Sequence, residues 1–94
     1  MIKKILENRL HQALNVKALL YLSKNQFGDF CLPPAQIKNI LGEANKKLDQ
    51  LVSEIRGTLE ESDLVDKVEY VGGFINIYLS KEAYLQEMSN IAKT

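Results

Sequence analysis

The chain has 94 residues, 46% of them apolar and 26% charged, which fits one small domain with one compact core and excludes a disordered or fibrous chain. A chain of this length is too short for a nucleotide-binding catalytic fold with its lids. One cysteine (Cys31) and one histidine (His11) exclude a disulfide framework and a four-ligand zinc site.

Twelve basic residues balance twelve acidic ones, but unevenly along the chain. Residues 1–24 carry five basic side chains against Glu7 alone, whereas residues 49–69 carry seven acidic side chains against Arg56 and Lys67. A neutral total is compatible with a local basic patch, yet lacks the overall bias of a dedicated nucleic-acid binder. The longest apolar run, Ala18 to Leu22, is far short of the roughly 20 residues of a membrane span. Glu7, Arg9 and His11 interrupt any signal-peptide core, so a soluble cytoplasmic protein in a reducing compartment is expected.

The first element is an amphipathic helix over Ile2 to Leu14, with Ile2, Ile5, Leu6, Leu10, Ala13 and Leu14 at helical spacing. Asn15 is its stop. The second half of Val16–Ser23 reads as a strand or a helix extension. Asn25 to Phe30 breaks the pattern around Gly28 and forms a turn into a short extended piece. Pro33-Pro34 forces the preceding backbone to be extended, and Pro34 suits the first position of a helix carrying Ile37, Ile40, Leu41 and Ala44. A further helix over Lys46 to Leu59 has the stripe Leu48, Leu51, Val52, Ile55 and Leu59, and Glu60 to Asp63 is a polar connection.

Val68–Val71 and Phe74–Leu79 read as two strands joined by Gly72-Gly73, since a two-residue hairpin turn needs positive φ. Ser80 caps a last helix, with Glu82 in its first turn and Tyr84, Leu85, Met88, Ile91 and Ala92 as its apolar face. With Gly72 and Gly73 as the turn, Val71 opposes Phe74, Tyr70 opposes Ile75, Glu69 opposes Asn76 and Val68 opposes Ile77. Val68, Tyr70, Ile75, Ile77 and Leu79 then form the core face. Lys67, Glu69, Val71, Phe74, Asn76 and Tyr78 share the other face. The fold class is therefore α+β, a small antiparallel sheet with a hairpin in the C-terminal half, packed against about four helices.

The non-core face has two readings. Its rings could pack beneath a helix, with Asn76 satisfying a backbone group. Alternatively it is a recognition surface, because a ring stacks on an unpaired base while a carboxamide reads the base's edge. The second reading requires both Phe74 and Asn76 to point outward.

Gln26-Phe27-Gly28-Asp29-Phe30, followed downstream by Lys67 to Ser80 with Val68-Glu69 and Gly73-Phe74-Ile75-Asn76-Ile77, resembles the N-terminal additional domain of arginyl-tRNA synthetases. The likeness runs from about Leu6 to Ile91. The family's proline within Gly-Pro-Gly-Phe is absent here, and Cys31-Leu32-Pro33-Pro34-Ala35-Gln36 replaces its small residues after Gly-Asp-Phe. The resemblance implies a single domain over residues 1–94 that binds the D-loop at the outer corner of arginine tRNA and holds it against a catalytic body. It implies tRNA contacts from Phe74, Asn76, Tyr78, Lys67, Lys81 and Gly73, with Phe74 on a splayed base and Asn76 on its edge. Lys67 and Lys81 would meet phosphates, joined by Lys3, Lys4 or Arg9 if the first helix lies alongside.

The nucleotide-binding signatures of class I synthetases are missing, and a single histidine excludes one of them. The resemblance thus implies no catalysis by these residues alone and no cofactor of their own, ATP and arginine binding elsewhere in a parent arginine–tRNA ligase. An end just after the last helix fits a domain boundary.

An enzyme built on Cys31 and His11 lacks a third partner and any basic neighbour for the thiol. A buried structural cysteine and a solvated helix histidine are expected. Glu60, Glu61, Asp63 and Asp66 lack the ligand spacing and glycine of a calcium loop. The alternative function is a protein-docking module using the same hairpin face.

Overall fold

The computed structural model describes residues 2–23 and 29–92, and side chains through Gln86. Gln26, Phe27 and Gly28 of the first motif lie outside the described residues, as do the side chains of Met88, Ile91 and Ala92.

Helix α1 spans Ile2–Leu14 and buries Ile2, Leu6, Leu10 and Leu14, a stripe repeating at four residues. Asn15, at φ 59°, ends it in the left-handed region that asparagine tolerates. Strand β1 (Tyr21–Leu22) follows, so the strand alternative holds for the end of that segment. Strand β2 (Phe30–Leu32) leads through Pro33 into α2 (Pro34–Ala44), with Pro34 in the first helical turn as its fixed φ favours. Asn45, at φ 54°, separates α2 from α3 (Leu48–Glu60). The Gln50 side chain accepts from the Lys47 backbone N–H at 3.3 Å and so closes the start of α3.

The hairpin is β3 (Val65–Val71) and β4 (Phe74–Leu79). Gly72 and Gly73 have φ 61° and 87°, the paired positive values of a type I′ turn. The turn is therefore tight without the family's proline. All four expected cross-strand pairs are present, Val71–Phe74 through Val68–Ile77. Strand β3 starts three residues earlier than expected, at Val65. The extra length fits because a bulge at Asp66 shifts the register between Val65 and Lys67. Ser80 caps α4 (Lys81–Ala92), its Oγ accepting from the Ala83 N–H at 3.2 Å.

The sheet is antiparallel with order β1-β2-β4-β3. Strand β4 is thus central, flanked by β2 and β3. Its Ile75 and Ile77, with Phe30, Leu32 and Val68, join buried residues from all four helices in one core. The α+β expectation is met.

Both sheet margins are tied down by helix side chains. On β3, Val68 donates its N–H to Glu60 Oε2 at 2.9 Å and accepts from Arg56 Nε at 3.3 Å. An unpaired strand edge invites another strand, and α3 occupies this one. Just before β1, Leu20 N–H is held by Glu7 Oε2 at 2.8 Å and Leu19 N–H by Gln36 Oε1 at 3.4 Å.

Two core expectations fail for positional reasons. Tyr70 does oppose Ile75, but β3 is an edge strand and Tyr70 lies beside the turn, so its side chain stays 40% exposed. On α4, Ala83 is buried while Tyr84 and Leu85 are 47% and 55% exposed. The first turn of α4 therefore meets the core through Ala83 rather than through Tyr84 and Leu85, with its entry fixed by the Ser80 cap.

Candidate nucleic-acid interface

The candidate site lies on the sheet face opposite the core residues Ile75 and Ile77. Alternation along β4 places Phe74, Asn76 and Tyr78 there. Phe74, directly after the turn, is 40% exposed, as the recognition reading requires.

Asn76 corrects that reading. It sits on the expected face but retains only 4% of its surface, so it does not point freely into solvent. Cys31 of β2 lies directly across on one side and Glu69 of β3 on the other, so Asn76 occupies the middle of the sheet. Among the described residues no fully enclosed side-chain nitrogen or oxygen lacks a hydrogen-bond partner. Asn76 is a floor residue beside an exposed ring, and the two do not project together.

Lys67 and Tyr78 are cross-strand partners, and the Lys67 ammonium stands 4.6 Å from the Tyr78 ring centroid. Lys67 also pairs with Glu69 at 2.9 Å, and the Glu69 hydrogen bond and charge raise its pKa further above the ordinary range. This cluster is four residues from Phe74, about 13 Å along the strand. Lys81, the first residue of α4, is exposed beyond the far end of β4. Gly73 is a turn residue with positive φ, and a Cβ there would touch Pro34 Cγ at 3.4 Å. The six expected contact residues therefore span the whole length of β4.

The basic residues of α1 do not join them. That helix packs on α3 in the helical layer on the core side. Lys3 approaches Glu7 at 4.0 Å, and Arg9 lines a shallow groove with Gln12, Ala13, Thr58 and Glu61. Cys31 is buried, and burial pushes its thiol pKa up, so it has the inert environment expected of a structural cysteine. His11 is exposed on α1.

One structural residue was visible in the motif but unassigned. Asp29 donates its N–H to the Ile77 carbonyl at 2.9 Å, and its Oδ2 accepts from the Leu79 N–H at 2.9 Å. Asp29-Phe30 and the Phe-Ile-Asn-Ile strand are thus one hydrogen-bonded unit, although 50 residues separate Asp29 from Leu79.

The profile of the arginyl tRNA synthetase N terminal domain matches residues 1–79, ending with the last residue of β4. The chain belongs to that family. Its structure is also similar to Thermus thermophilus arginyl-tRNA synthetase, with a TM-score of 0.72 and 26% identity over 93% of this chain and 15% of that one. No curated protein sequence matches the chain. Membership in the arginyl-tRNA synthetase N-terminal family accounts for both motifs at once, since the profile spans the Asp29 clamp and the hairpin it holds. No described helix is long and apolar enough to cross a membrane.

Proposed function

We propose that the domain binds arginine tRNA at its outer corner, contacting the D-loop through the face that carries Phe74, and so helps position the tRNA for a catalytic body. The observation that carries this reading is the exposed Phe74 ring on a chain of the arginyl-tRNA synthetase N-terminal family. Phe74 stacks on a splayed base, while the enclosed Asn76 supports the strand that carries the ring rather than reading the base's edge. Lys67 and Lys81 meet phosphates and set affinity and salt dependence rather than base choice. Tyr78 holds Lys67 in place from below, and Gly73 fixes the turn that presents the ring. The domain itself performs no chemistry in this reading. Its partners are arginine tRNA and the synthetase's catalytic body, in the cytoplasm.

The test is a fluorescence titration with an arginine tRNA transcript across a range of salt. Binding weakens steeply as salt rises, as expected when phosphates release counterions. Phe74→Ala, at a site half open to solvent, lowers affinity by a factor equivalent to about 1–3 kcal/mol at unchanged melting temperature. Asn76→Ala is expected to lower the melting temperature rather than to remove a tRNA contact, because the residue is enclosed. Parent-like binding by Phe74→Ala removes the hairpin from the contact surface.

A further inference from the structure

The cross-strand register lines up four residues across the whole sheet: Tyr21 of β1, Cys31 of β2, Asn76 of β4 and Glu69 of β3. Directly paired residues share a face, so Tyr21 belongs to the same face as Phe74. The middle of this row is low, since Cys31 and Asn76 are both short and nearly enclosed. Its β1 end is a ring, with Tyr21 46% exposed. Two strand spacings, about 9.5 Å, separate Tyr21 from Asn76, and Phe74 is the next residue along β4 on that face.

We propose that Tyr21 is a second stacking platform on this sheet, for another unpaired nucleotide of the RNA that Phe74 engages. The inference rests on the tRNA-binding reading above and extends it to a strand that reading does not use.

The ring of Tyr21 takes no part in the core. The backbone beneath it is nonetheless fixed, because Glu7 and Gln36 hold the N–H groups of Leu20 and Leu19 and β2 pairs with Tyr21 itself. A ring with two rotatable bonds on an anchored backbone loses little freedom when a base stacks on it. The occupant is a nucleobase because the face mixes exposed rings with charges: Glu69 and Lys67 would be stripped of water by an apolar partner, whereas a base covers a ring such as Tyr21 or Phe74 and leaves its own edges for hydrogen bonds. Leu22, the other residue of β1, belongs to the opposite face by alternation and does not extend this one.

The chain has no tryptophan, so Tyr21→Trp creates a single reporter in the full chain. Titration with an arginine tRNA transcript is expected to quench its emission with the midpoint that anisotropy gives. Tyr21→Leu is expected to lower affinity about ten-fold at unchanged melting temperature, while Tyr21→Phe binds like the parent. A structural role alone would not move the emission on adding RNA, and it would lower the melting temperature of Tyr21→Leu. Emission unchanged at tRNA saturation, or parent-like binding by Tyr21→Leu, overturns the proposal. Emission that changes with protein concentration before RNA is added also overturns it, since a second copy then covers the ring. If Phe74→Ala weakens binding while every Tyr21 variant is neutral, only this inference falls. If the parent fails to bind tRNA, both fall.

Discussion

In the proposed tRNA contact, Glu69 sets what the Lys67 ammonium can offer to a phosphate. Both residues are exposed, so water screens their attraction and the pair adds little to stability. Its consequence lies in binding. A phosphate approaching Lys67 must displace a carboxylate already 2.9 Å from the ammonium, and Glu69 repels the phosphate. Glu69→Gln is therefore expected to leave the melting temperature unchanged, raise tRNA affinity, and steepen the salt dependence by close to one released counterion. A plot of log affinity against log salt for parent and variant checks this. An unchanged slope places the phosphate contacts elsewhere.

At the scale of elements, the decisive contact is between the short segment entering β2 and the C-terminal half of β4. Asp29 alone supplies two of its hydrogen bonds, one from its backbone and one to its carboxylate. Asp29→Ala leaves the half-buried Leu79 N–H without its acceptor and is expected to cost about 1–2 kcal/mol. In a domain of this size that corresponds to a fall of roughly 4–16 °C in melting temperature. Asp29→Asn keeps an acceptor oxygen and is expected to lose less than the alanine variant, which a pair of thermal melts by circular dichroism would compare. The same pairing explains why the Gly-Asp-Phe and Phe-Ile-Asn-Ile motifs occur together: neither strand end is complete without the other. The failed expectations also belong to this scale. A helix's apolar stripe gives its face only to within one residue's rotation, and on α4 the Ser80 cap and the contact of Ala83 decided the phase that Tyr84 and Leu85 missed.

For the whole molecule, stability rests on one core drawn from four helices and the inner face of one sheet. Ile77 sits at its centre, fully buried on β4 between Phe30 and Val68. Ile77→Asp would place a carboxylate there with no cation in reach, at a cost of about 4 kcal/mol or more. That is a large part of the roughly 5–15 kcal/mol that holds a domain together, so the variant is expected to be unfolded in urea titrations at concentrations the parent withstands. A parent-like midpoint would mean that Ile77 faces solvent and that the hairpin register is wrong by one residue.

The sequence by itself determined the local elements and the hairpin. Helical stripes, Pro34 at a helix start, Ser80 at a cap and two turn glycines are short-range signals, and a two-residue turn dictates the pairs from Val71–Phe74 to Lys67–Tyr78, up to the bulge at Asp66. It also determined on which side of the sheet Phe74 and Asn76 lie, because alternation is a property of the strand alone. Only the tertiary structure decided how deep each of them sits. Depth depends on what lies alongside, and β2 pairs with β4 across more than 40 residues of intervening chain that no local pattern encodes. That pairing placed Asn76 in the middle of the sheet and brought Tyr21 onto its face, while Phe74 stayed exposed beside the turn.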